Sequence, residues 1–174
     1  GHDFYTSPRL SPNGKQLAFM TWDHPNMPWD STTLWVGDIN VDGTLSNVCA
    51  LAGGEGESVI QPEWSPEGVL HYLSDRSGFW NLYRVESEHR PLWPMAAEFG
   101  APHWVFGLSF YDFADADTLV CTFFENGVWH LAEINAKTGE HRRIKTAFVT
   151  VRQLRVQGNT AYFVGGTATA PETL

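Results

Sequence analysis

The sequence predicts an all-β protein, an open and partial β-propeller of about three complete four-stranded blades plus half of a fourth. Three observations lead there. A turn phrase recurs along the chain, each copy opens a series of short apolar strands punctuated by polar turns, and no amphipathic helical pattern exceeds two turns.

The phrase Ser7-Pro8-Arg9-Leu10-Ser11-Pro12-Asn13-Gly14 returns as Gln61-Pro62-Glu63-Trp64-Ser65-Pro66-Glu67-Gly68. Each copy leads through a Pro-x-Gly turn into an apolar strand, at 17–22 and 69–73. A looser third copy starts at Gly107-Leu108-Ser109-Phe110, and a fourth at Val151-Arg152-Gln153-Leu154. Aligning Leu10, Trp64, Phe110 and Leu154 gives spacings of 54, 46 and 44 residues. A four-stranded blade takes about 40–50 residues, so the period fits.

Third strands follow at 33–39, 80–85 and 128–134, partly alternating apolar and polar as half-buried antiparallel strands do. Turns at 41–44, 87–90 and 136–140 then lead to outer strands, the most polar being His141-Arg142-Arg143-Ile144-Lys145, as suits an edge. The expected blades cover 6–54, 60–97 and 105–147, with an incomplete one at 151–174. Three and a half blades do not close a ring of four to eight. The end blades should therefore expose apolar faces, which predicts a segment of a larger propeller and self-association through open edges.

Composition narrows the function. The formal net charge is -9 with 11 Lys and Arg, which argues against nucleic acid as a partner. No apolar run approaches the ~18 residues that cross a bilayer, so no membrane partner is expected. Gly1-His2-Asp3-Phe4-Tyr5 has neither a basic region nor an apolar one, so no signal peptide is visible. Cys49 and Cys121 lie in strand-like runs and are expected to be free, buried thiols of a reducing compartment, the cytoplasm.

Pro62-Glu63-Trp64-Ser65-Pro66-Glu67-Gly68 resembles the propeller repeat of TolB-like proteins and of prolyl oligopeptidase-family serine peptidases. Ser74-Asp75-Arg76-Ser77-Gly78-Phe79-Trp80-Asn81-Leu82-Tyr83 is similar to the blade signature of the acylaminoacyl peptidase and dipeptidyl aminopeptidase branch. The segments at 21–30 and 125–131 resemble the same bacterial subgroup. The resemblance implies an N-terminal propeller over a C-terminal α/β-hydrolase domain that holds the Ser-Asp-His triad. The propeller would restrict access to short peptides. The partners so implied are that hydrolase domain and short peptides. A nucleophile elbow needs Gly-x-Ser-x-Gly, and no two of the 16 glycines are four positions apart. The chain itself is therefore expected to be non-catalytic. The alternative is a stand-alone TolB-like propeller acting as a protein-binding scaffold, and the eight tryptophans leave a sugar-binding propeller as a third reading.

Asp38-x-Asn40-x-Asp42-Gly43 matches half of a calcium loop, but Cys49 stands where the closing Glu should be, and a type I′ hairpin turn on Asp42-Gly43 explains the same residues. The seven histidines lack metal-ligand spacing, so neither metal nor cofactor is expected. The segment between Trp22 and Trp29 is a proline-rich insertion in the longest repeat. Long loops on rigid β-scaffolds are where binding concentrates. His24, Asn26, Met27 and Trp29 are thus candidates to face a substrate cavity or the hydrolase domain, the alternative being a self-packed loop. Arg76 could pair with a peptide carboxylate, or simply belong to a tight turn with Asp75 and Asn81.

Overall fold

The computed structural model describes residues 1–174 and contains fourteen strands and no helix. Three antiparallel four-stranded meanders follow one another, each running β-strand by β-strand from an inner to an outer edge. The first holds β1 (Phe4–Leu10), β2 (Gln16–Trp22), β3 (Thr33–Ile39) and β4 (Leu45–Gly53). The second holds β5 (Val59–Trp64), β6 (Leu70–Ser74), β7 (Asn81–Arg84) and the two-residue β8 (Arg90–Pro91). The third holds β9 (Tyr111–Phe113), β10 (Thr118–Glu125), β11 (Val128–Asn135) and β12 (His141–Ile144). A hairpin of β13 (Thr150–Gln157) and β14 (Thr160–Gly166) completes this open propeller of three blades and a half.

The repeated phrase is turn chemistry. In Ser11-Pro12-Asn13-Gly14 and Ser65-Pro66-Glu67-Gly68 the last N–H donates to the first carbonyl at 2.8 Å in both. Proline supplies the φ that the second position needs, and glycine takes the fourth at φ 69° and 82°. The serine hydroxyls cap the turns, accepting from Gln16 N–H at 2.9 Å and Val69 N–H at 3.1 Å. At Asp42-Gly43 only the glycine has positive φ, so the expected type I′ turn is not there. Its geometry occurs at Asn126-Gly127, where both residues are positive at 52° and 85°. The Asp42 carboxylate is used by Thr44 and that of Asp38 by Gln16 and Asn47.

Upstream of the turn, the inner strands β1, β5 and β13 carry a bulge. The register slips between Thr6 and Arg9, Ile60 and Glu63, and Arg152 and Arg155, with Ser7, Gln61 and Gln153 at φ 51°, 45° and 56°. This corrects two of the four repeat anchors. Leu10 and Trp64 pair with Leu17 and Leu70 at the turn, and the residue so placed in the third blade is Phe113, not Phe110. In the fourth hairpin Val156 is level with Leu10, not Leu154. A bulge breaks the period of two, so matching apolar residues paired buried Leu154 with the exposed Leu10, while buried Phe110 lies just before β9 begins.

Blades stack face to face through three apolar clusters. Met20 and Leu34 meet Val59, Tyr72 and Tyr83; Ile60, Leu73 and Leu82 meet Leu119, Phe123 and Ile134; Val120 and Leu131 meet Val151 and Leu154. Every residue of β6 is therefore buried, although it includes His71 and Ser74. The first blade has no neighbour on its other face, where Tyr5, Leu10 and Leu45 are exposed. Cys121 is buried as expected, but Cys49 is exposed, because it lies on the outer strand β4; both thiols are free.

Polar stitches run between the inner strands. The Gln61 amide accepts from Phe110 N–H at 2.7 Å and donates to Tyr111 carbonyl oxygen at 2.7 Å, while Tyr111 hydroxyl donates to Gln61 carbonyl oxygen at 2.8 Å. Ser109 Oγ donates to Leu154 carbonyl oxygen at 2.6 Å, and Asp112 accepts from Val156 N–H at 2.8 Å. Replacing Gln61 with leucine should strand buried backbone groups of the third blade, costing about 1–3 kcal/mol in urea denaturation; an unchanged midpoint would show that the stitch is dispensable.

His71 is enclosed in the same layer, edge-on to Phe113 at 5.1 Å, with Nε2 unpartnered. Burial lowers its pKa to about 4 from an ordinary 6.5. The unfolded chain thus takes up this proton first, and stability present above pH 6.5 drains away as pH falls toward about 4. The expected slope is up to about 1.4 kcal/mol per pH unit, shallower in His71→Phe; equal slopes in denaturation at pH 7, 6 and 5 would refute this.

Candidate functional site

In an antiparallel meander the start of the first strand, the loop from second to third strand and the chain leaving the fourth all lie at one end. At that end a cavity of about 560 Å³ opens between the first two blades and the long connection from β8 to β9. Its floor is Phe4, Thr6, Ser7 and Arg9 of β1 with Met20, Trp22 and Gln61; one wall is His24, Asn26, Met27 and Pro28; the other is residues 103–108 with Phe110.

The first wall is held by its own polar groups. Asp23 accepts from Asp3 N–H at 2.7 Å and pairs with His2 Nδ1 at 2.7 Å, and the His2 bond leads in holding its carboxyl below the usual range. Asp3 in turn accepts from His24 N–H at 2.9 Å. Phe4 stacks on Trp22 at 4.9 Å and meets His24 edge-on at 5.0 Å. Ser58 hydroxyl donates to Pro28 carbonyl oxygen at 2.9 Å, tying the loop to the second blade.

The second wall is apolar and projects outward. Trp104, Val105 and Phe106 are 74%, 59% and 76% exposed, and Trp104 packs on Trp29 with ring centroids 4.3 Å apart. His103 lines the cavity beside them, with neither ring nitrogen hydrogen-bonded. Burial lowers its pKa to about 4, so the ring is neutral at pH 7. On the floor, Arg9 donates to Glu63 at 2.8 Å. Burial raises the Glu63 pKa, and Arg9 opposes that shift.

His24, Asn26 and Met27 therefore reach one cavity, whereas Trp29 lies behind it, against Trp104 and the core between the second and third blades. Arg76 lies elsewhere, donating to Tyr72 hydroxyl at 2.8 Å, pairing with Glu57 at 2.8 Å and covering the Tyr83 ring at 4.7 Å. Asp75 accepts from Ser58 N–H, and Asn81 bonds Met95 rather than only its own turn. The sequence reading missed the second wall because it took residue 105 as the start of the third blade. The signal was Trp104-Val105-Phe106-Gly107, apolar yet without strand alternation. No group of three or more His, Cys, Asp or Glu side chains is placed to hold a metal ion.

No protein-family model and no curated protein matches the chain. Among solved structures it is similar to a puromycin hydrolase, at 31% identity and a TM-score of 0.92 over 99% of this chain. It is equally similar to a Mycobacterium tuberculosis puromycin-hydrolyzing peptidase, at 32% identity and a TM-score of 0.92 over 99% of this chain. The chain is a propeller segment of the prolyl oligopeptidase family. It spans 26% and 27% of those two enzymes' own chains. TolB from Acinetobacter baumannii, at 15% identity and a TM-score of 0.57 over 93% of this chain and 40% of its own, shares the propeller fold alone. Within the prolyl oligopeptidase family, then, this segment is a wall of apolar blades with a cavity at its loop-bearing end.

Arg9→Gln should leave Glu63 a half-buried carboxylate without its cation. The side chains are 32% and 27% exposed, so solvent moderates the loss to about 1 kcal/mol at pH 7. An unpaired acid with a raised folded pKa destabilises only where it ionises, so the deficit should vanish below about pH 4.5; a pH-independent deficit in denaturation would disprove this assignment.

Proposed function

We propose that this chain is the non-catalytic propeller portion of a serine peptidase, which gates or positions short peptides for an α/β-hydrolase domain elsewhere in the same protein. The observation that carries the reading is the likeness over 99% of the chain to two puromycin-hydrolysing enzymes, at identities above 30%. A second puromycin hydrolase structure, 32% identical, is a mutant complexed with PGG, which supports a short peptide as substrate. The cavity supports it too. It opens at the end where the loops gather, and its rim carries three adjoining exposed apolar side chains suited to facing another domain. Free Cys49 and Cys121 suit a cytoplasmic enzyme. The TolB-like scaffold reading has only the shared fold in its favour.

The product of the complete reading frame should be labelled by a fluorophosphonate at one serine outside residues 1–174 and should hydrolyse short aminoacyl amides, with rates falling steeply for longer peptides. Residues 1–174 alone should take no label. Labelling of a serine within them, or none in the complete product, would overturn the reading.

A further inference from the structure

The three complete blades end in outer strands of unequal character. β8 is two residues long and ends in Pro91, and β12 is four residues long and carries Arg142 and Arg143. Shortness, proline and charge are the devices that keep a sheet edge from pairing with another chain. β4 has none of these. It runs for nine residues, Leu45 to Gly53, without a proline or a charge. Register slips opposite Leu34–Trp35 and Val36–Asp38 bend it around an exposed run, Val48, Cys49 and Ala50. β4 pairs with β3 alone, and no backbone group of residues 45–53 bonds anywhere outside that ladder. Its outward N–H and carbonyl groups therefore have no partner within the protein.

Charge says what could cover this edge. Between Lys15 and Arg76 the sequence holds nine Asp and Glu and no Lys or Arg. Some of these acids are paired from elsewhere, Glu57 by Arg76 and Glu63 by Arg9. Asp38 and Asp42, at the start of β4, bond only neutral groups, and Glu55 beyond its other end is exposed. Two copies joined antiparallel through β4 would set Asp38 and Asp42 of one against Glu55 of the other. A cationic strand would meet attraction at both ends instead.

We infer that β4 is an addition site for an extended, cationic segment of another polypeptide, which lies along it as a fifth strand of the first blade. Backbone hydrogen bonds hold the segment, and the flanking carboxylates select Lys or Arg at its ends. The inference does not depend on the peptidase reading.

The test is titration of the chain with acetyl-Lys-Arg-Val-Thr-Val-Arg-Lys-amide, read by calorimetry and by amide hydrogen exchange across residues 45–53. Two control peptides separate the causes. Exchanging both Val for Pro keeps the charge but removes strand pairing, and exchanging every Lys and Arg for Glu keeps the strand but reverses the charge. The first peptide should saturate and slow exchange in β4 by about fivefold or more, while each control binds about tenfold more weakly. Ala50→Lys, at an exposed position, should weaken the first peptide about tenfold by charging the edge. Should that variant fail to fold, Glu55→Gln must weaken the peptide about twofold at low salt, a difference that about 0.5 M salt removes. Equal binding of the proline peptide, unslowed exchange in β4, or binding indifferent to the variants would overturn the inference. A dimer in sedimentation that Ala50→Lys dissolves would assign the edge to a second copy and overturn it too. So would β4 amides already protected in the product of the complete reading frame.

Discussion

Each blade is a sheet with two apolar faces, and neither can be left to water without cost. The middle strand β6 shows the constraint in its strongest form. Leu70 and Tyr72 turn toward the first blade while Leu73 turns toward the third, so the whole strand is buried. A sheet of this kind gains most of its stability from its neighbours, at roughly 25 cal/mol per Å² of apolar surface removed from water. Stacking follows, and so does the exposure of Tyr5, Leu10 and Leu45 on the first blade, where the stack stops.

Apolar stacking is non-directional and would tolerate blades sliding past one another. The buried polar stitches remove that freedom. Gln61 can satisfy its amide only when Phe110 N–H and Tyr111 carbonyl lie opposite it, and Ser109 sets Leu154 in the same way. The bulges at Ser7, Gln61 and Gln153 belong to this arrangement, since the kink re-aims side chains at the innermost edge of the first, second and last sheets. The polar layer that fixes register also forms part of the cavity floor, so stability and site geometry share the same atoms.

The cavity arises where two loops with different supports meet. The 23–30 segment is anchored by Asp3, Asp23 and Ser58, whereas residues 103–108 lean on Trp29 and leave their apolar side chains outward. Long connections on a rigid β-scaffold are where recognition is usually placed, and here the second blade's outer strand shrinks to Arg90–Pro91, leaving chain for such a connection.

Local rules made much of this protein readable from its residues alone. Ser-Pro-x-Gly dictates a turn, β-branched and aromatic runs dictate strands, and their repetition dictates a propeller; the resemblance to the family rested on the phrase at 62–68 with the stretches around it. Bulges were not readable, because an extra residue in a strand leaves no compositional mark, and Leu154 was misplaced for that reason; Phe110 was misplaced because β9 begins only after it. Exposure of Cys49 depended on which strand lay outermost. His24, Asn26 and Met27 were picked out by loop length, but their meeting with His103 and Trp104 was decided by how two blades pack. A cavity between segments some eighty residues apart belongs to no stretch of sequence; it exists only once long-range packing brings its walls together.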